Sequence, residues 1–485
     1  SVMMQVWMYG KYIEERTRSN SLYRINTGRD YEPKFNEGQW YDTKPNRGYE
    51  INSGVSYNYL SRFVLEPRYE FTHRRKVKNQ LTHIMDNLAD LGIYGLTAPV
   101  GAEYSTDDSY WSNTSSNIHD IGAKFNIWFK GKMNISLNGG VQLVGANLWY
   151  NRFNKPFKIK RHSIMPVVKE AMAQYEWGKA RSNYGTLPKN IVKLIYKLNG
   201  NIPELEWLLP ITDNTDPMNI YEGAETLKNQ FNHNWELSWS WKDSSRPFNH
   251  KIELTYALQS NALVRGYTYD TATGVRRIRS YNTSGNWSEG ANSIVSLQFG
   301  PKRKMALSNN AGISYGHATD MIGTNVETPA QSTIRNLFVT ETLNLTWQVG
   351  KQSLGLKGNA IWRHSTGDRE GFSEINSATI NYGLTGVFKL PLGLGLSTDL
   401  TMYMREGYDD PGLDKHDLVW NARLSRSLDK GRWVVMIDGF DLLHQLSNVT
   451  YAINAQGRTV TYTNSLPRYV LLHAIYRIDI KPKKR

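Results

Sequence analysis

The chain has no cysteine in 485 residues. A disulfide framework, thiolate metal sites and cysteine nucleophiles are therefore excluded, and the absence fits a chain that crosses an oxidising compartment without covalent staples. Nor is there any run near the roughly 18 apolar residues that a membrane-spanning helix needs, and mean hydropathy is −0.54. A helical membrane protein is excluded. Residues 1–8 lack a basic n-region and run at once into Lys11, Glu14 and Glu15, so they form no signal peptide; the chain, opening on Ser1, reads as a mature chain or a fragment. Long charge blocks of one sign are missing too. The net charge of +14 comes from 58 Lys and Arg against 44 Asp and Glu, spread among acids and aromatics with no nucleic-acid module, so nucleic acid is not an expected partner.

Catalytic signatures are also absent. There is no G-x-S-x-G elbow, H-E-x-x-H pair or phosphate-binding loop, and the pairs His444 with Asp441 and His364 with Ser365 have no third group to complete a triad. No enzyme and no cofactor is expected.

What is present is aromatic and glycine content, with 29 Tyr, 15 Trp and 39 Gly, and a period-two alternation repeated along the chain. Leu394, Leu396, Leu400, Met402 and Met404 alternate with Gly395, Ser397, Asp399, Thr401, Tyr403 and Arg405. Because successive strand side chains point to opposite faces, one face suits lipid and the other water. Ala378, Ile380, Tyr382, Leu384, Phe388 and Leu390 repeat the pattern just before, and Leu390-Pro391-Leu392-Gly393 makes the turn between the two strands. Further hairpins turn at Gly131-Lys132, Gly350-Lys351 and Asp429-Lys430-Gly431, and Trp235, Leu237, Trp239 and Trp241 alternate with Asn234, Glu236, Ser238 and Ser240.

About 18 such strands are expected. Tight turns alternate with long polar stretches at 316–336, 364–376 and 405–416, and 18–45 and 184–229 read as long loops. This asymmetry, with Trp and Tyr at strand ends (Tyr57 and Tyr59, Trp149 and Tyr150, Trp239 and Trp241), predicts an all-β, antiparallel transmembrane β-barrel of a bacterial outer membrane filling residues 1–485. A soluble sandwich or propeller is the alternative. A lipid-bathed edge would leave a row of unpaired amides and carbonyls, so the first and last strands must each find a partner. The last strand, with Val470, Leu472, Ala474, Tyr476, Ile478 and Ile480 toward lipid, ends in Lys481-Pro482-Lys483-Lys484-Arg485, a basic stop suited to the periplasm; an even strand number places Ser1 at the same end.

Two stretches carry a family resemblance. Asp213-Asn214-Thr215-Asp216-Pro217-Met218-Asn219-Ile220-Tyr221-Glu222-Gly223 followed by Leu227-Lys228 is one; Phe440-Asp441-Leu442-Leu443-His444, Ser447-Asn448-Val449 and Leu466-Pro467-Arg468-Tyr469 make the other. With a Pro-containing hairpin near Glu66-Pro67, they resemble the outer-membrane β-barrel family of TonB-dependent receptors found in Bacteroidota. The chain departs from that pattern at Ala224, Glu225 and His444. The resemblance implies an active importer with about 22 strands, an N-terminal plug and a segment that binds TonB. On that account the chain is most of the barrel, with plug and first strands ahead of Ser1; the rival is about 18 strands closing on themselves.

Solute-binding candidates follow from orientation: Asp399, Tyr403 and Arg405 toward the lumen, and Tyr408 and Trp111 as loop aromatics. Nothing in the residues separates a glycan, peptide, siderophore or cobalamin. Asp409, Asp410, Asp414 and Asp417 offer oxygens to Ca²⁺ but not in an EF-hand spacing, and they read equally as a solvated loop; Asp107 and Asp108 read likewise. Arg74, Arg75 and Lys76, or Arg276, Arg277 and Arg279, suit lipopolysaccharide phosphates. A non-transporting barrel that docks surface lipoproteins or joins a larger outer-membrane complex is the second functional class, with loops 18–45 and 184–229 as docking surfaces.

Overall fold

The computed structural model describes the backbone of residues 3–478 except 15–18, 27–34, 44–46, 59–62, 85–100, 130–131, 183–184, 215, 217, 244–246, 370, 408–413, 446–448, 455–456, 463–465 and 467, with side chains at 9–11 and from 65 onward outside 179–189, 430 and 446–465. Its elements are strands and short 3-10 turns. In chain order the strands are β1 (Met3–Glu14), β2 (Ser19–Asn26), β3 (Phe35–Thr43), β4 (Arg47–Asn58), β5 (Phe63–Ile84) and β6 (Glu103–Phe129). Then come β7 (Met133–Arg152), β8 (Lys155–Ser182), β9 (Gly185–Asn201), β10 (Thr212–Asp213), β11 (Asn219–Glu222), β12 (Gln230–Asp243) and β13 (Phe248–Ser260). β14 (Ala262–Tyr269), β15 (Arg276–Thr283), β16 (Asn286–Phe299), β17 (Met305–Thr324), β18 (Gln331–Val349), β19 (Gln352–Gly367) and β20 (Ile375–Lys389) follow. The last are β21 (Leu394–Glu406), β22 (Lys415–Leu428), β23 (Trp433–Phe440), β24 (Val449–Asn454), β25 (Gly457–Tyr462) and β26 (Tyr469–Tyr476).

Antiparallel pairing runs without a break from β1 to β4, through β5–β9, β12, β13 and β16–β23, to β26. Among the described residues this wall counts 18 strands, as the alternation predicts. All eight connections at one end are two to five residues long, as in 350–351, 390–393 and 429–432. The opposite end carries the longer excursions, among them 85–102, 202–229 and 441–468. Both β1 and β26 meet the short-turn end at their terminal sides.

Register decides which side chains share a face. Leu356, Leu384 and Leu400 stand in one row across β19, β20 and β21, and Leu384 is 58% exposed. Leu254, Leu237 and Leu194 form a similar row with Ala291, again exposed. In water such a surface would be an aggregation hazard; in a bilayer it is the lipid face. Two aromatic zones edge it. Tyr196, Trp235, Tyr256, Trp287 and Tyr315 follow one another across five strands at ring separations of 5.1, 5.5, 6.2 and 5.6 Å. Nearer the short turns stand Tyr175 with Trp177, Trp241 with Phe248, and Trp433 with Tyr476.

Several sequence expectations change. The stretches 18–45 and 184–229 hold β2, β3, β9, β10 and β11, and the connections expected at 316–336 and 364–376 shrink to 325–330 and 368–374. Polar residues there alternate within strands that continue past the membrane: β6 and β8 run 27 and 28 residues, against about 10 needed to cross a bilayer. Glu66-Pro67 is no hairpin but lies inside β5. Pro67 pairs with Ala123 on β6, while pairing to β4 begins only at Arg68, so the missing N–H falls where the β4 ladder has not started. Tyr57 and Tyr59 lie outside the described side chains.

One close approach requires glycine. A Cβ on Gly140 would stand 2.0 Å from the Ile121 carbonyl oxygen and 2.5 Å from Gly122 Cα. Gly140→Val is expected to lower stability by about 1–3 kcal/mol through forced separation of β6 and β7, read as an earlier urea midpoint for the folded, heat-modifiable band; an unshifted midpoint would show that the strands have slack there.

Candidate functional site

The inner face of the wall changes character partway up. On β7, Ser136, Asn138, Gly140 and Gln142 are followed on the same face by Val144, Ala146, Leu148 and Tyr150, the last four all buried. The lower half is a polar lumen wall. It holds an ion network in which Arg68 meets Asp120 at 2.8 Å and Lys169 meets both Asp120 at 3.1 Å and Glu70 at 2.8 Å. A bulge between Val168 and Ala171 leaves Lys169 out of the ladder, which lets its chain reach the two carboxylates.

The upper half is covered by the segment 202–229. Leu205, Leu208, Leu209, Ala224 and Leu227 pack with Ala146, Leu148 and Tyr150 into one buried cluster. The segment is shaped by its own residues. Asp216 accepts from the backbone N–H groups of Met218 and Asn219 at 3.0 and 3.2 Å, an Asx turn that starts β11. Gly223 lies so close to the Leu209 carbonyl that a Cβ would stand 1.6 Å from its oxygen, and the Ala224 N–H donates to the Trp207 carbonyl at 2.7 Å. β11 then runs parallel beside β15, which pairs with β14, and β14 runs parallel beside the end of β17. A small second sheet thus sits at the loop end of the wall.

Two ion pairs tie the segment down. Arg152, its side chain fully buried, contacts Asp213 at 2.6 Å and Asp108 at 3.8 Å, and its Nε donates to the Asp107 carbonyl at 3.0 Å. Asp107 and Asp108 therefore serve Arg152. Lys78 on β5 reaches Glu206 at 2.9 Å, and Ser112 donates to the same carboxylate at 3.4 Å. Burial pulls the Lys78 ammonium down, but Glu206 more than offsets it and the net shift is upward. Arg152 behaves alike with Asp213. Tyr110 and Tyr150, stacked at 5.4 Å, are raised above the usual phenol value, chiefly by burial, and keep their protons.

Between segment, wall and small sheet lies a cavity of about 310 Å³, lined by Lys78, Tyr110, Tyr150, Glu204, Glu206, Trp207, Asp213, Tyr221, Glu222, Arg265, Arg279 and Ser280 among others. That is at the lower end of the range in which small-molecule sites fall, about 300–1,000 Å³.

The orientation-based candidates stand elsewhere. Asp399, Tyr403 and Arg405 do share the inner face of β21; Lys357 pairs with Asp399 at 2.5 Å and Thr401 donates to it at 2.6 Å, while Tyr403 lies opposite Asp417. None lines the loop-end cavity. Trp111 is a β6 strand residue rather than a loop aromatic, on the face opposite Tyr110. Tyr408, Asp409 and Asp410 lie outside the described residues, Asp414 is exposed, and among the described residues no three acids or histidines gather as a metal site. The basic runs divide: Arg75 shares the outer face with Asn113, to which it donates at 3.1 Å, with Arg74 and Lys76 on the other face. Arg277 is tied to Glu222 at 3.1 Å. His364 and Ser365 point to opposite faces, Ser365 donating to Asn336 at 2.6 Å; Asp441 accepts the backbone N–H of Gln445 and closes a turn with His444.

Residues 180–354, from the end of β8 into β19, match the outer membrane protein beta-barrel family. The chain has an outer-membrane β-barrel fold. Among solved structures it is similar to the outer membrane transporter YddB of Escherichia coli, with 11% identity over 93% of this chain and 74% of that one and a TM-score of 0.26. No curated protein matches the chain.

Proposed function

We propose that this barrel wall belongs to an importer of the TonB-dependent receptor type, in which a solute captured at the loop end passes down the polar lumen when a plug is pulled from the periplasm. The observation that carries the reading is the fixed cavity at the loop end, above a lumen face of paired charges such as Arg68–Asp120 and Arg423–Asp438. A wall that only excludes water has no need of a folded segment pinned inside its mouth by a buried arginine. The likeness of Asp213–Gly223 to the receptor family falls on that same segment. In this reading the short-turn end, where β1 begins and β26 ends, faces the periplasm, and TonB is the energising partner. Outward Arg75 meets lipid phosphate.

The test is capture of the full-length protein, extracted in detergent from its native outer membrane, on immobilised C-terminal domain of TonB. Retention is expected, with an intact mass above 55.6 kDa from a plug and a TonB-binding segment. No retention, together with co-purification of surface lipoproteins, would replace import by a scaffold role.

A further inference from the structure

Three of the four carboxylates at the loop-end cavity are already matched by a base. Glu206 is held by Lys78, Asp213 by Arg152 and Glu222 by Arg277. Arg265 has no carboxylate within ion-pair distance among the described residues and shares its face with Ser280, whereas Arg279 is paired with Gly266 on the other face, next to Glu222; the acid left over, Glu204, is exposed. Arg265 lies 5.4 Å from the ring centre of Trp207 and 5.8 Å from that of Tyr221. A guanidinium held over ring faces by cation–π attraction keeps its N–H groups free for a carboxylate, which a fork of two donors can bind through two parallel hydrogen bonds.

The other polar groups at the cavity suit hydroxyls. Tyr110, Tyr150 and Ser280 offer neutral O–H groups that both donate and accept, and Glu204 accepts only. A pocket of about 310 Å³ takes one or two sugar-sized rings rather than a polymer. We infer that the loop-end cavity binds a compact anionic solute of the sugar-acid class, its carboxylate on Arg265 and its hydroxyls on the tyrosines and on Ser280, the register partner of Arg265 on the same face. This assignment rests on the reading of that cavity as the first seat of an imported solute.

Isothermal titration of the full chain in detergent with D-glucuronate, D-glucose and inorganic phosphate tests it. Glucuronate is expected to bind at least tenfold more tightly than glucose, which has the same ring without the carboxylate. Arg265→Met should weaken glucuronate by about 10- to 100-fold, the range of a charge-assisted pair, and Arg265→Lys, which keeps the charge but loses the fork, should fall between. Each variant must keep the heat-modifiable mobility of the folded barrel, and Arg303→Met at a short turn should bind as the parent does. Equal affinity for glucose and glucuronate, or an unchanged Arg265→Met, overturns the anion assignment while the cavity stays a solute seat. Phosphate binding as tightly as glucuronate overturns the sugar acid in favour of a bare anion. Silence toward all three overturns both the assignment and the cavity as the seat, whereas import itself is decided separately by TonB capture.

Discussion

Leu384→Arg destabilises the fold in a bilayer by about 2–4 kcal/mol, the cost of a cation on the lipid face of a transmembrane strand near mid-depth. Leu384 is 58% exposed and lies in a row with Leu356 and Leu400, so the substituted side chain has hydrocarbon on its open side and two apolar neighbours along the wall. Its sequence neighbour supplies the control. Thr385 pairs with Asp399 on the opposite face, where an arginine meets water and a carboxylate, and Thr385→Arg should stay within about 0.5 kcal/mol of the parent. Urea titrations of folding into liposomes, followed by the heat-modifiable band, would measure both. If the two arginines cost the same, the faces are wrongly assigned and the sheet is not a membrane wall; the soluble sandwich would return.

The contrast between those neighbours explains how much was legible in the residues. A strand has a strict period of two, so a wall with lipid on one side and water on the other writes its faces directly into the order of residues. Leu394 to Met404, Trp235 to Trp241 and the turns at Gly350 and Pro391 all fall as that rule requires. The rule holds only while one face meets lipid. Above Gln142 the inner face of β7 becomes apolar because residues 202–229 cover it, and the local sign of that change is Val144, Ala146, Leu148 and Tyr150 in positions where Ser136 and Asn138 stood lower down. Read with the lipid rule alone, these residues look like a lapse in pattern.

The cavity was hidden for a different reason. Its groups come from β5, β6, β7, the 202–223 stretch, β14 and β15, and no spacing along the chain joins Lys78 to Glu206 or Arg152 to Asp213. Those are tertiary pairs between residues 128 and 61 apart. Orientation reasoning chose Asp399, Tyr403 and Arg405, which do face inward, but a long wall offers many inward polar residues and orientation does not rank them. The Asp213–Gly223 stretch was the one local pointer, and its turn chemistry, Asp216 capping Met218 and Asn219, explains why these residue types sit together.

Arg152 carries the second large effect. Its side chain is fully buried and its charge is met by Asp213 at 2.6 Å, at the base of a tight turn in which Phe153 and Asn154 both take positive φ, 55° and 52°, the conformation of a two-residue type I′ hairpin. Asp213→Asn keeps the shape and removes the countercharge. Breaking one side of a buried pair leaves an uncompensated ion and costs about 3–5 kcal/mol; the low end is expected, because Asp108 remains at 3.8 Å. The loss should be local. Residues 202–229 would open from the wall while the antiparallel ladder persists, so far-ultraviolet dichroism should hardly change as trypsin begins to cut after Lys228 and Leu209 and Leu227 lose their slow hydrogen exchange. Replacing both partners, Arg152→Met with Asp213→Leu, should restore most of the protection, since an apolar pair of similar volume needs no countercharge. If Asp213→Asn leaves exchange and cleavage unchanged, the segment is held by its leucines alone and the ion pair serves the cavity's charge rather than its closure.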